Sequence, residues 1–323
     1  MTQKFYDENE EISFDSLNNF EYLLKQYSSK TPTIEEALIE LFRNGGASPN
    51  EAKEIYDHLK IMCDQKINDN WNLIKQENKD ISKGDAFIIS SYTYEAKPMY
   101  ENYSPYRLLN KNLVANDRKS GIISVEKYLF LFLRALRRMT LCKKPYLYRC
   151  ISCKVKLEND PNNSKYIPYK VGNEKIFWPF TSTSYDENVS EKFLNHGTGT
   201  KYKIEGDELW GYDITLFNVC NEKEVLLEPE RKYMIEEVKN GNLTEVTCKI
   251  ISNPKILGVC NKVFKPFCPS CGSEKITYKI EKILNPNEVG NHMPIKRFID
   301  GSKVIILENS YLVPHCNDCG HKF

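Results

Sequence analysis

The stretch Asn221-Glu222-Lys223-Glu224-Val225-Leu226-Leu227 sets two carboxylates one residue apart, directly ahead of an apolar strand. Side chains on a strand repeat every two residues, so Glu222 and Glu224 would face one side and act on one substrate. Two further segments precede it. Tyr146-Leu147-Tyr148-Arg149 reads as an aromatic strand carrying one arginine. Phe177-Trp178-Pro179-Phe180-Thr181-Ser182-Thr183-Ser184 reads as a strand ending in alternating hydroxyls. An arginine in a buried strand needs a partner, and its planar fork suits a phosphate. Ser182 and Ser184 share a face by the same period and can orient a carboxylate or a sugar hydroxyl. Taken singly, each segment is common: a strand arginine usually pairs with an acid, Ser-Thr-Ser is usually a turn, and Glu-Lys-Glu is usually solvated. Their order and flanking residues together carry the specificity.

Outward from these segments, the region from about 146 to 256 is β-rich. Strands are expected at Tyr146–Val155, Phe177–Ser182, Leu209–Phe217, Glu224–Leu227, Tyr233–Val238 and Thr244–Ile251, with Gly197, Gly199, Gly206 and Gly241-Asn242 among the turn residues between them. The N-terminal part reads as helical. Thr33-Ile34-Glu35-Glu36 and Ser48-Pro49-Asn50-Glu51 are capping boxes. Ala37, Leu38, Leu41 and Phe42 follow the first box at helical spacing, and Asn44-Gly45-Gly46 stops that helix. Ile55, His58, Leu59 and Met62 form a second apolar stripe, with His58 expected as a packed core histidine. Residues 83–145 read as a helical layer feeding a sheet, and the apolar run Val125 to Met139 ends in Arg134, Arg137 and Arg138, which suits a helix C-terminus.

Composition sets outer limits. The 323 residues are 41% apolar and 28% charged, an ordinary globular balance with length for two or three domains. Aromatic content of 12% excludes disorder throughout. A net charge of +1 provides no global field to steer a partner. Its distribution is uneven: residues 1–80 hold 16 acids against 9 bases, and residues 260–323 hold 9 bases against 6 acids. No apolar run approaches the ~20 residues that span a bilayer. The polar start from Met1 to Glu8 lacks the apolar core of a signal peptide, so a cytoplasmic location is expected. Eleven cysteines in a reducing compartment are not expected to form a disulfide framework.

The three segments, in this order, resemble the arginine-specific mono-ADP-ribosyltransferases of the R-S-E type. The likeness rests on Leu147-Tyr148-Arg149, Phe180-Thr181-Ser182-Thr183-Ser184 and Glu222-Lys223-Glu224-Val225-Leu226. It extends to Pro229 and Tyr233-Met234-Ile235, and upstream to Tyr92-Thr93 and Tyr106–Leu113. It implies an α+β fold: an ADP-ribosyltransferase-like two-sheet core behind a helical N-terminal layer. It also implies an NAD(P)-dependent glycosyltransferase that moves ADP-ribose to protein arginines and releases nicotinamide. Arg149 would bind a phosphate of NAD, Ser182 would orient the catalytic glutamate and the nicotinamide ribose, Glu224 would stabilise the oxocarbenium-like transition state, and Glu222 would engage the acceptor arginine. Phe217-Asn218-Val219-Cys220-Asn221 would be the acceptor-recognition turn. This chain has Cys150 where the family often has glycine, a side chain that would crowd the dinucleotide. Phe180 and Trp178 are read as core residues beside the motif. An NAD glycohydrolase, and an inactive scaffold with a working protein- or nucleic-acid-binding module, are the alternative readings.

The C-terminal cysteines add a separate expectation. Cys268-Pro269-Ser270-Cys271-Gly272 and Cys316-Asn317-Asp318-Cys319-Gly320 read as zinc knuckles, with β-like stretches at Ile276–Ile283 and Val304–Leu312 between them. Four cysteine ligands close the coordination sphere, so a zinc at Cys268, Cys271, Cys316 and Cys319 would be structural. His315 and His321 are expected at the surface. Cys150 and Cys153 would point to opposite sides of a strand. Cys63, Cys142, Cys220, Cys248 and Cys260 are expected as buried thiols. The expected organisation is a helical region 1–82, a catalytic domain 83–257 and a zinc-ribbon-like domain 258–323. The expected partner is a protein with an exposed arginine, no membrane is involved, and nucleic acid is only thinly supported by the +3 charge of the last segment.

Overall fold

The computed structural model describes residues 31–251 apart from 116–117, 156, 158–168, 195 and 207–208, together with Tyr27 and the backbone of five strands between 276 and 316. The chain divides into two compact units, Met1–Gly258 and Val259–Phe323.

Among the described residues the first unit has five α-helices ahead of its strands: α1 (Ile34–Asn44), α2 (Pro49–Glu77), α3 (Lys83–Tyr92), α4 (Pro105–Leu113) and α5 (Arg118–Leu136). Thr33 Oγ1 accepts from Glu36 N at 3.1 Å, and the helix behind it buries Ala37, Leu38, Leu41 and Phe42. Ser48 and Glu51 close their box in both directions. The stripe on α2 runs through Ile55, Leu59 and Cys63 rather than Met62, which is exposed. Along a helix 3.6 residues per turn carry the buried line from Leu59 onto Cys63. His58 is half-buried, with Nδ1 2.7 Å from the Tyr94 hydroxyl. The arginines after α5 do more than cap it: Arg138 Nη1 donates to Oδ2 of Asp85 at 2.7 Å, and Asp85 is 1% exposed inside the capping box of α3. No helix among the described residues is long and apolar enough to cross a membrane.

Two sheets follow, so the fold mixes helices with two β layers. A four-stranded antiparallel sheet has the order β1 (Leu141–Lys143), β6 (Trp210–Asp213), β7 (Val225–Leu227), β4 (Thr181–Thr183). A five-stranded sheet has the order β2 (Tyr146–Ile151), β5 (Gly199–Glu205), β9 (Leu243–Ile250), β8 (Arg231–Lys239), β3 (Glu174–Phe177). Its pairings are antiparallel except β5 with β9. The core between strands gathers Leu147, Phe177, Tyr202, Ile204, Val225, Leu227, Tyr233 and Val246. The strand β5 lies where only turns were expected. Gly199 makes its entry possible: φ is +137° and an added Cβ would sit 2.1 Å from the Ile151 carbonyl oxygen. Phe180 packs edge-on against Phe132 of α5 at 5.0 Å, and Tyr92 stacks on the same ring at 4.8 Å, which ties the helical layer to β4.

In the second unit β10 (Ile276–Lys282) and β11 (Met293–Ile295) both pair antiparallel with β14 (Ser310–Cys316), and β12 (Phe298–Asp300) pairs with β13 (Lys303–Ile305). Cys260, Cys268, Cys271, Cys319 and His321 lie outside the described residues. Of Cys316 only the backbone is described, paired with Ile276. Among the described residues no His, Cys, Asp or Glu group is placed to hold a metal ion.

Candidate active site

The two sheets meet beside the motif residues. Tyr148 and Ser184 exchange a reciprocal pair of backbone hydrogen bonds, at 2.7 Å and 2.8 Å, across the junction of β2 with the end of β4. This bridge brings the next residue on β2, Arg149, against β4, where its Nη1 donates to the Ser182 carbonyl at 2.8 Å. β4 in turn pairs with β7, so Ser182 stands opposite Leu226 and lines the same cavity as Glu224.

The two glutamates are not on the strand. β7 starts at Val225, and both acids belong to the loop that leads into it. They still face one cavity, because the loop is built rigidly. Asn218, 1% exposed, accepts from Cys220 N at 2.8 Å and from Glu222 N at 3.3 Å through Oδ1. Its Nδ2 donates to Glu224 Oε2 at 2.7 Å. Asn221 closes the turn at φ +57°, a left-handed conformation that asparagine tolerates better than most residues, and its amide oxygen accepts from Lys66 of α2 at 2.8 Å. Thr93, just past α3, holds the other side of the loop, accepting from Val219 N at 3.0 Å. Cys220 was expected to be buried, but it is exposed, with its backbone N–H donating to Asn218 Oδ1 and its Sγ donating to the Thr93 carbonyl at 3.6 Å.

The electrostatics follow from burial. Glu224 is 6% exposed, and desolvation pushes its carboxyl up to about 7, with the Glu222 charge adding to the rise. The hydroxyl of Ser182, the amide of Asn218 and the charge of Arg149 oppose it. Glu222 is half-buried; desolvation raises its carboxyl, Glu95 raises it further, and Lys192 opposes.

A cavity of about 640 Å³ opens over these groups, within the range of ligand sites. Arg149, Ser182, Glu222 and Glu224 all line it, so the structure brings the four expected residues together. Cys150 does not line it. Its thiol donates to Ser190 Oγ at 3.5 Å and faces a small neighbouring cavity of about 50 Å³.

Solved structures give a likeness of outline. No protein-family model and no curated protein matches the chain. The type III effector XopAI from Xanthomonas axonopodis pv. citri is 12% identical, over 76% of this chain and 95% of its own, with a TM-score of 0.48. The ADP-ribosyltransferase HopU1 of Pseudomonas syringae pv. tomato is 16% identical, over 67% of this chain and 97% of its own, at 0.46. The Vis toxin, an ADP-ribosyltransferase from Vibrio splendidus, is 18% identical, over 65% of this chain and 91% of its own, at 0.41.

Three wall residues were missed from the sequence as site residues. Asn218 was only part of a turn, and its role depends on contacts to residues two, four and six positions later. Asn110 of α4 donates to the Tyr92 hydroxyl at 3.1 Å and to the Phe180 carbonyl at 3.3 Å, while its Oδ1 is buried with no hydrogen-bond partner among the described residues. Glu95, on the segment after α3, lines the same cavity. Only a helical wheel of α4 that put Tyr106 and Asn110 on one face would have pointed to either helix-side wall.

A dinucleotide fits this donor set. Arg107, Lys111 and Arg149 line the cavity and supply cations for a diphosphate. The orphaned Oδ1 of Asn110 offers an acceptor that an amide or hydroxyl of such a ligand would satisfy. Tyr92, Tyr106 and Phe180 supply aromatic wall.

Proposed function

We propose that the chain is an NAD-dependent mono-ADP-ribosyltransferase that transfers ADP-ribose to arginine side chains of proteins. The observation that carries this is the buried Glu224, held by Asn218 in one cavity with Arg149, Ser182 and Glu222. NAD is the co-substrate, and breaking its nicotinamide–ribose bond leaves positive charge on the ribose. A fixed carboxylate at Glu224 stabilises that charge without reorganising. Ser182 orients the carboxylate, and Arg149 holds a phosphate. The electron pair of the broken bond leaves with nicotinamide. An acceptor guanidinium nitrogen supplies the pair for the new bond to the same ribose carbon, and the proton it sheds passes to Glu222 and then to water.

The test uses labelled NAD with polyarginine. Glu224→Gln should lower both nicotinamide release and labelling about 10²–10³-fold. Equal labelling by the variant and the wild type overturns the assignment. Glu222→Gln should lose transfer to arginine while keeping some NAD hydrolysis. The second carboxylate on the cavity wall, Glu222, favours transfer over simple hydrolysis, because water as acceptor needs no such group. A structural zinc on Cys268, Cys271, Cys316 and Cys319 belongs to the same proposal. It is supported by the β10–β14 pairing, which brings the chain shortly after Cys271 against Cys316. A protein acceptor and a cytoplasmic setting complete the reading, the latter suited to a cysteine-rich chain.

A further inference from the structure

We propose that Glu95 is a second acceptor-binding carboxylate, which with Glu222 forms a two-sided grip selective for a guanidinium over an alkylammonium. The inference rests on the transferase reading above.

The position of Glu95 is fixed relative to the acceptor loop. Thr93 Oγ1 takes the Val219 N–H at 3.0 Å, and Cys220 Sγ donates to the Thr93 carbonyl at 3.6 Å. The segment carrying Glu95 is therefore fastened to the segment carrying Glu222, and both acids line the cavity together with Glu224. The orientation of Glu95 is fixed as well. The Tyr106 hydroxyl donates to Glu95 Oε1 at 3.2 Å and itself accepts from Arg107 Nε at 2.9 Å. A hydroxyl polarised by a guanidinium donates more strongly, which holds the carboxylate in place.

A separate observation points to a ligand. Glu222 is half-buried, yet its carboxylate makes no hydrogen bond or ion pair among the described residues. Its neighbours in charge are Glu95, which opposes ionisation, and Lys192, which favours it. Holding two like charges on one wall is unfavourable until a cation lies between them. A guanidinium carries five N–H donors in a plane and can bond both carboxylates at once, whereas an ammonium is a compact point charge that one carboxylate serves nearly as well.

The test is steady-state kinetics on the full chain with a blocked arginine amide, a blocked lysine amide and no acceptor. Glu95→Gln and Glu95→Asp are compared with wild type; Glu95 is exposed, so neither disturbs the core. Glu95→Gln should raise the KM for the arginine amide about fivefold, the scale of a partly screened ion pair, and Glu95→Asp should recover most of that loss. The KM for NAD, read from nicotinamide release without acceptor, should move less than about twofold. The wild type should prefer the arginine amide to the lysine amide, and the Gln variant should narrow that preference. An acceptor KM raised less than about threefold, or an NAD KM raised as far as the acceptor KM, overturns the role of Glu95 while leaving the transferase standing. A wild type that releases no nicotinamide, or releases it without labelling arginine, overturns the transferase reading and this inference together.

Discussion

Asn218 is the residue on which the site turns. One buried amide fixes the loop through two accepted bonds and fixes the carboxylate of Glu224 through one donated bond. Donation to the carboxylate favours its ionised form, so removing it must push the Glu224 carboxyl above its present value of about 7. Asn218→Leu should therefore move the rising limb of the pH–rate profile for NAD cleavage to higher pH, and it should cost about 1–3 kcal/mol of stability for the lost bonds. Nicotinamide release measured from pH 5 to 9 and a denaturant titration check the two parts; an unmoved limb rejects the role. Stability carries its own signature. A carboxyl raised on folding contributes stability that is complete below its unfolded value and is lost as pH climbs through its folded value. Wild-type stability should thus fall between about pH 4.5 and about pH 7, by about 3 kcal/mol at most, and Glu224→Gln should flatten that fall. Arg149, Ser182, Glu222 and Glu224 could be picked out because each sits in a short local pattern of distinctive residues, three of the four being charged. Asn218, Asn110 and Glu95 were not, because a polar side chain in a turn, a helix or a rim takes its meaning from partners brought near by folding.

Among elements, the helices were easier to read than the strands. Capping boxes and apolar stripes are local signals, and α1 and α2 follow them closely. The strand β5 was missed although its pattern alternates: Thr200, Tyr202 and Ile204 are buried, while Lys201 and Lys203 between them are less so. Three glycines near its ends read as turns, and only the pairing with β2 and β9 shows that Gly199 serves a close backbone approach. The strand expected over Tyr146–Val155 stops at Ile151, so Cys150 and Cys153 do not share it. Arg138, just past α5, illustrates the limit of local reasoning, since its partner Asp85 lies on another helix. Asp85→Ala removes both the reciprocal cap of α3 and the charge that Arg138 meets. It should cost about 3 kcal/mol, visible as a lowered melting temperature, whereas Glu51→Ala at the exposed box of α2 should change melting far less. Similar losses at both positions would mean that burial is not what gives the Asp85 pair its weight.

At the scale of the whole molecule, the proposed active site lies in the first unit, and the two Cys-x-x-Cys pairs proposed to bind zinc lie in the second. Elemental analysis of the full chain should find about one zinc per chain, and Cys268→Ser should abolish it while NAD cleavage persists, as a closed four-thiolate site requires. Metal-free protein at full stability would refute the ribbon. The turn around Asn218 has a different kind of consequence, one for inheritance. Its amide measures out residues, reaching the backbone two and four positions ahead and the carboxylate six ahead. A single inserted or deleted residue between Asn218 and Glu224 would break that count, whereas a substitution at Val219, Cys220 or Lys223 would leave it intact. Descendants of this gene that substitute the loop's side chains should thus keep the Glu224 geometry, whereas descendants that change the loop's length should lose it.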